Sequence, residues 1–442
     1  MESVFTTWGA LSGLILAIVL IVRKATPAYA LIFGALLGGL LGGGGLEATV
    51  SAMVAGTRSM MPSILRILSS GILVGALVKT GSAAKIADAI VDALGTRFAL
   101  AAIALATLIV TSVGVFVDIA VITVAPVALA VGRKTSLPVP ALLLAMIGGG
   151  KAGNVISPNP NTLAVAEAFK LDLTSVIAVN VVPALVAMAV TVWLATGLAK
   201  KAKVKAGGER RNRDFSHRLR RLPSPSSSPS PSPSPSSSPR LLQAIVGPLT
   251  VVVLLSLRPL CGITVDPLVA LPAGGLVSIL VCGRGRETVA FCEYGLSKVI
   301  GVSILLIGTG TIAGIITQSG LNANMIRLMN ACPLPVFALA PVSSFLLGGA
   351  TASTTAGVTI ASQTFAGTFA AAGVPALSAA AMLHAGGTIC DALPHGSFFH
   401  ATAGAVGMSV RDRFRLFPYG ELVGLTTTVV SVLIYLLFGK GV

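Results

Sequence analysis

Charged residues make up only 10% of the 442-residue chain, and aromatic residues only 5%. Soluble domains carry about 25% charged residues, so a water-soluble fold of this length would lack the polar surface to cover itself. The low aromatic content, and the lack of alternating ten-residue strands, exclude an outer-membrane barrel, which needs aromatic girdles at both interfaces. Cysteine is absent from the first half. Cys261, Cys282, Cys292, Cys332 and Cys390 show no C-x-x-C spacing, which argues against a disulfide frame or a metal site and for small embedded apolar side chains. The zinc-protease pattern H-E-x-x-H is missing, and no other paired catalytic set is present, so an intramembrane enzyme is disfavoured. The first residues, Met1-Glu2-Ser3, lack the basic n-region of a signal peptide, and the first apolar stretch reads as a retained helix.

What is abundant is apolar: 54% hydrophobic residues, with a mean hydropathy of +0.91. Stretches near the ~20 apolar residues needed to span a bilayer recur along the chain. Forty-nine glycines suit a crowded helical bundle in lipid, where small residues let backbones approach. The expected fold is an all-α polytopic membrane protein.

The formal net charge of +16 could suggest nucleic-acid binding. The excess, however, clusters between two hydrophobic halves, as the positive-inside rule requires. Residues 200–240 hold Lys200, Lys201, Lys203, Lys205, Arg210, Arg211, Arg213, Arg218, Arg220 and Arg221, then Pro-Ser repetition from Pro223 to Pro239. Such a tract buries no apolar surface and is expected to be a disordered cytoplasmic linker. It divides the chain into transmembrane repeats at 1–199 and 241–442.

Both halves open with two apolar spans, Leu11–Ile21 and Pro27–Leu41 in the first, Leu241–Leu257 and Val265–Val281 in the second. Each then carries two polar, Gly/Pro-containing interruptions: Thr111–Pro126 and Gly153–Thr162, then Gly348–Thr364 and Gly386–Ser397. Paired interruptions at corresponding places point to a transporter binding site. Placing Arg23-Lys24, the linker, Arg284 with Arg286, and Arg411 with Arg413 and Arg415 on the cytoplasmic side gives an odd number of spans per half. The halves are therefore expected to be inverted repeats, each with about five spans and a re-entrant hairpin. Thr80–Arg97 and Thr135–Leu137 leave the count open.

The first-half tip holds Lys151, Asn154, Ser157, Pro158, Asn159, Pro160, Asn161 and Thr162. Two prolines two apart remove donors and force extended backbone, so a helix must end here and restart near Thr162. Its free N–H groups and dipole would favour an anion. Lys151 could neutralise that anion or snorkel. Glu167 reads as an interface or ion-pair residue. The second-half tip holds His384, Asp391, His395 and Ser397, with His384 and His400 the weaker, structural candidates. Asp118 stands alone in an apolar run, and Asp391 and His395 are ionisable at membrane depth, so all three are proton-coupling candidates. Asp118 could instead pair with a distant cation such as Lys151. Thr351, Ser353, Thr354 and Thr355 form an uncharged hydroxyl-rich counterpart, suited to substrate hydroxyls or to helix packing.

At these residues the sequence resembles the gluconate permease family of bacterial proton symporters. Phe116-Val117-Asp118, Pro126 and Arg133-Lys134 are similar to its F-F-[DE]…P…R-[RK] segment. Ser157-Pro158-Asn159-Pro160-Asn161-Thr162 before Ala164-Val165-Ala166-Glu167 is similar to P-P-H-P-G-P before A-A-A-E, and Leu393-Pro394-His395-Gly396 to L-P-H-N. Asn159, Asn161 and Thr162 stand where the family has His, Gly and Pro, which leaves shorter hydroxy acids open beside sugar acids. The resemblance implies import of a small organic anion such as gluconate by proton symport across the inner membrane. It implies no cofactor beyond the coupling ion. A sodium-coupled carrier remains the alternative and a channel fits less well, since a filter or pore-lining ring is not evident. The partners are the anion and the bilayer, with no nucleic acid; a homodimer is left open.

Overall fold

The computed structural model describes residues 4–23, 25–208, 239–320, 335–351, 353–393 and 397–438. Nineteen α-helices account for most of them, and no strand occurs among the described residues. The first half contains α1 (Thr7–Val22), α2 (Pro27–Leu41), α3 (Gly45–Ser59), α4 (Met61–Lys79), α5 (Ser82–Leu94), α6 (Ala99–Ser112), α7 (Val117–Thr135), α8 (Val139–Asn154), α9 (Pro160–Ala168), α10 (Leu173–Val179) and α11 (Val181–Gly208). The second contains α12 (Leu241–Cys261), α13 (Pro267–Val281), α14 (Thr288–Thr317), α15 (Leu339–Thr351), α16 (Thr354–Ala371), α17 (Ala376–Gly386), α18 (Ser397–Ala405) and α19 (Val410–Phe438).

The two pairs of opening spans match α1, α2, α12 and α13 closely. The linker differs at its start, because α11 runs on to Gly208 through Lys200 and Lys201. Alanine and lysine are strong helix formers, so the chain leaves the helix later than its charge suggests. The rest of the linker, with Cys332, Pro394, His395 and Gly396, lies outside the described residues.

Three helices are long and apolar enough to cross a membrane alone: Val181–Ala202, Gly285–Thr317 and Val410–Phe438. Two bent pairs, Gly45–Ser59 with Ile64–Lys79 and Ser82–Leu94 with Thr96–Ser112, could raise this to five. Other apolar helices are shorter; α2, with 15 residues, rises about 22 Å, less than a ~30 Å hydrocarbon core. Unbroken helices alone therefore do not reach five spans per half among the described residues. Leu, Ile, Val, Phe and Trp side chains remain exposed along the helices, as in Trp8, Trp193 and Leu437, giving an apolar exterior suited to lipid.

The helices form two groups. In one, α14 packs along α2, α3 and α4, while α13 packs on α4 and α12. In the other, α8 is surrounded by α6, α7 and α11, while α17 is packed by α15, α16 and α19. The groups meet where α16 touches α14 and α4 touches α9. Close backbone approach fixes the first group. A Cβ on Gly295 of α14 would lie 1.8 Å from the Gly71 carbonyl oxygen of α4, and one on Gly56 of α3 would lie 2.1 Å from that of Gly310. Gly295→Ala is accordingly expected to destabilise the protein by about 3 kcal/mol or more. Gly301→Ala, whose Cβ would have nothing within 4 Å, should be nearly silent. Thermal unfolding of the two variants in detergent checks the contrast.

Candidate functional site

The four sequence interruptions are four helix breaks. In the first, α6 ends at Ser112, the chain turns through Gly114 at φ +106°, and α7 begins at Val117. Pro126, expected to close this break, lies inside α7 instead. In the second, α8 ends at Asn154 and α9 begins at Pro160, where a missing N–H costs nothing. The third falls between α15 and α16, with Ser353 as N-cap accepting from the Ala356 N–H. The fourth falls between Gly386 of α17 and α18, with Cys390 at φ +55°.

Cross-packing of the halves joins these breaks. Helix α9 of the first half packs on α16 of the second, and α18 of the second packs on α7 of the first. Phe116, Val117, Asp118, Asn154, Asn161, Ser353, Thr354, Thr355, Asp391 and Phe398 consequently line one cavity of about 160 Å³. The N-terminal residues of α7, α9, α16 and α18 all contribute to this wall. Four helix N-termini turn the positive ends of their dipoles toward one small volume, while several of their first N–H groups are capped locally by Asn159, Asp118 and Ser353.

The α8–α9 tip is internally wired. Asn159 Oδ1 accepts from the Asn161 and Thr162 N–H groups at 2.9 and 3.2 Å. Its Nδ2 then donates to Asn154 Oδ1 at 2.6 Å and to the Asn154 carbonyl at 2.9 Å. Ser157 donates to the Thr111 carbonyl at 2.7 Å, tying this tip to the first break. Ser157, Asn159 and Thr162 are buried and act within the tip; Asn154 and Asn161 reach the cavity wall. Thr351 does not line the cavity and bonds back to the Leu347 carbonyl at 2.8 Å, whereas Ser353, Thr354 and Thr355 do line it. The side chain of Ser397 lies outside the described residues.

Lys151 is not Asp118's partner. Its Nζ lies 2.8 Å from Asp391 Oδ1 and 3.6 Å from Glu421 Oε1, and donates to the carbonyls of Thr388 and Gly420 at 2.8 and 3.2 Å. Glu421 also accepts from the Cys390 N–H. Asp391 Oδ2 accepts from the Thr354 hydroxyl at 2.6 Å, so the buried pair connects to the cavity wall. Arg413 is buried under Phe399, 5.1 Å from its ring centroid, and donates to Thr402. Asp391, Glu421, Lys151 and Arg413 together form a charge-balanced cluster. Asp118 differs. Its Oδ1 accepts from the Ile119 N–H at 2.9 Å, and it has no ion pair within 4 Å among the described residues.

Of the remaining candidates, Glu167 pairs with Arg66, which also holds Asp266 at 2.8 Å. His384 is fully buried. Glu421 and Arg66 were not singled out from the sequence and Arg413 was read only as a topology signal, although each is an ionisable residue inside or beside an apolar helix, the signal that drew attention to Asp118.

A helical multi-pass membrane protein with a polar cavity between paired helix breaks has the build of a membrane carrier. Residues 6–438 match the model of the GntP family permease, and the chain belongs to that family. It is 47% identical over 430 residues to an uncharacterized transporter of Haemophilus influenzae, covering 97% of this chain and 98% of that one. An uncharacterized permease of the same organism is 27% identical over 196 residues, 44% of this chain and 40% of that one. In fold, the chain is similar to the YdaH transporter of Alcanivorax borkumensis, with a TM-score of 0.67, 15% identity, and coverage of 98% and 99%. Family and relatives alike point to a transporter.

Proposed function

We propose that this protein is a secondary active transporter of the inner membrane, not an enzyme, that imports a small hydroxy-carboxylate anion together with a proton. The observation that carries this reading is the convergence of four helix N-termini on a single cavity with Asp118, a carboxyl that has no ion pair within 4 Å among the described residues. The N-termini favour the anion. Ionised Asp118 opposes it: two like charges about 5 Å apart at an effective dielectric of about 20 repel by ~3 kcal/mol. Protonating Asp118 removes that repulsion, so proton and anion bind best together. Asp391 contributes less, because Lys151 already offsets its charge. His395 remains a further proton-coupling candidate.

The halves are read as inverted repeats, 1–199 and 241–442, working by alternating access. Their matching order of breaks and the reciprocal packing of α9 on α16 and α18 on α7 support this. The group built around α14 would serve as the frame against which the break-bearing group moves.

Uptake of labelled hydroxy-carboxylates into proteoliposomes tests the reading. Accumulation is expected when an inward proton gradient is imposed and not when a sodium gradient is imposed alone. Uptake driven only by sodium would replace the proton with Na⁺ as coupling ion. Rapid, non-saturating flux insensitive to either gradient would indicate a channel.

A further inference from the structure

One polar atom of a cavity-lining residue is left over by the wiring of the α8–α9 tip. Asn161 is 4% exposed, and its Oδ1 has no hydrogen-bond partner among the described residues. The orientation of this amide is set by its neighbours. Two backbone N–H groups fix Asn159 with its oxygen toward α9, so its Nδ2 must face Asn154 Oδ1. Asn154 Oδ1 is thereby an acceptor, and it also receives Asn161 Nδ2 at 3.2 Å. Rotating the Asn161 amide would set two oxygens against each other. Oδ1 is therefore the acceptor that remains, in a residue that lines the cavity. A buried acceptor without a donor is costly.

We infer that Asn161 is a specificity-determining residue that accepts a hydrogen bond from a substrate hydroxyl, and that the substrate is a short hydroxy-monocarboxylate. This rests on the cavity being the site of an organic anion. The carboxylate is held by the helix N-termini, which leaves the hydroxyl as the donor for Asn161. A single charge is favoured by the two carboxyls, Asp118 and Asp391, on the same wall, with no Lys or Arg among the described lining residues. A space of about 160 Å³ accommodates a three- or four-carbon acid. Asn161 also stands where the family pattern has Gly, a residue that offers no side-chain acceptor.

The test uses the full chain in proteoliposomes under an inward proton gradient, with two pairs of labelled acids: lactate against propionate, and 3-hydroxybutyrate against butyrate. In at least one pair the hydroxy acid is expected to be taken up about tenfold or more faster than its deoxy analogue. In Asn161→Ala that ratio falls toward one, because uptake of the hydroxy acid drops far more than uptake of the deoxy acid, a pattern that a merely structural role would not produce. Should the alanine variant fail to fold, Asn161→Gly, the residue of the family pattern, is expected to show the same loss of ratio. A ratio near one in wild type for both pairs overturns the assignment while leaving a carboxylate carrier in place, as does an unchanged ratio in the variant that folds. If wild type moves no carboxylate under either a proton or a sodium gradient, the anion-carrier reading falls and the Asn161 assignment falls with it.

Discussion

Asp118→Asn should abolish uphill accumulation of the anion while preserving exchange of internal for external substrate. The expected size is set by the membrane potential. An anion moving without a compensating proton works against about 2.3 kcal/mol per 100 mV of inside-negative potential, which at 1.36 kcal/mol per decade holds it about fifty-fold below the outside concentration at equilibrium. A coupled proton removes that penalty, and a proton gradient adds to it. Asn keeps the size of Asp and a side-chain oxygen to accept from the Ile119 N–H, so the α7 N-terminus should persist. It is also permanently neutral, which leaves the cavity able to bind the anion in both orientations. Counterflow of labelled substrate should therefore continue. Accumulation ratios measured in vesicles with a clamped potential decide the matter: a ratio in Asp118→Asn equal to that of wild type would remove Asp118 from the coupling role.

Lys151→Met is expected to be the most destabilising single substitution at the site, at about 3–5 kcal/mol. Lys151 is 1% exposed, and its ammonium is the shared partner of Asp391, Glu421 and two carbonyls, Thr388 in the fourth break and Gly420 in α19. Removing it leaves two carboxyl groups buried against each other with only Arg413 nearby in charge. A double variant, Lys151→Met with Asp391→Asn, removes one of the stranded charges and should recover part of the loss. Thermal unfolding of both single variants and the double variant in detergent measures the coupling. Additive effects would mean that the two groups stabilise the protein independently, contrary to the 2.8 Å contact. Because Asp391 also holds the Thr354 hydroxyl, Asp391→Asn alone should disturb the α16 N-terminus and lower substrate affinity even where the protein stays folded.

The sequence determined the membrane class and the places where helices break. Hydropathy is a property of composition. Proline and glycine act within one turn of the chain, so Gly114, Ser157–Thr162 and Gly386–Gly387 marked three breaks without knowledge of neighbours. The hydroxyl-rich run at Thr351–Thr355 marked the remaining one, although the Pro126 boundary did not hold, because a proline in a membrane helix can be accommodated within it. Asp118 was legible for the same local reason, as a carboxyl with no nearby cation in the chain.

Which charge meets which was decided by tertiary structure alone. Lys151 and Asp391 lie 240 positions apart, and nothing local to Lys151 distinguishes Asp118 from Asp391 as its partner. Arg413 sits among Arg411 and Arg415 and shares their basic pattern, yet packing turns it inward beneath Phe399. The cavity itself exists only because α9 of one half packs on α16 of the other and α18 on α7. Local rules fix where a backbone must stop being helical. Long-range packing fixes what the freed ends and the buried charges face; among the described residues it leaves Asp118 without an ion pair and the Asn161 oxygen without a hydrogen bond.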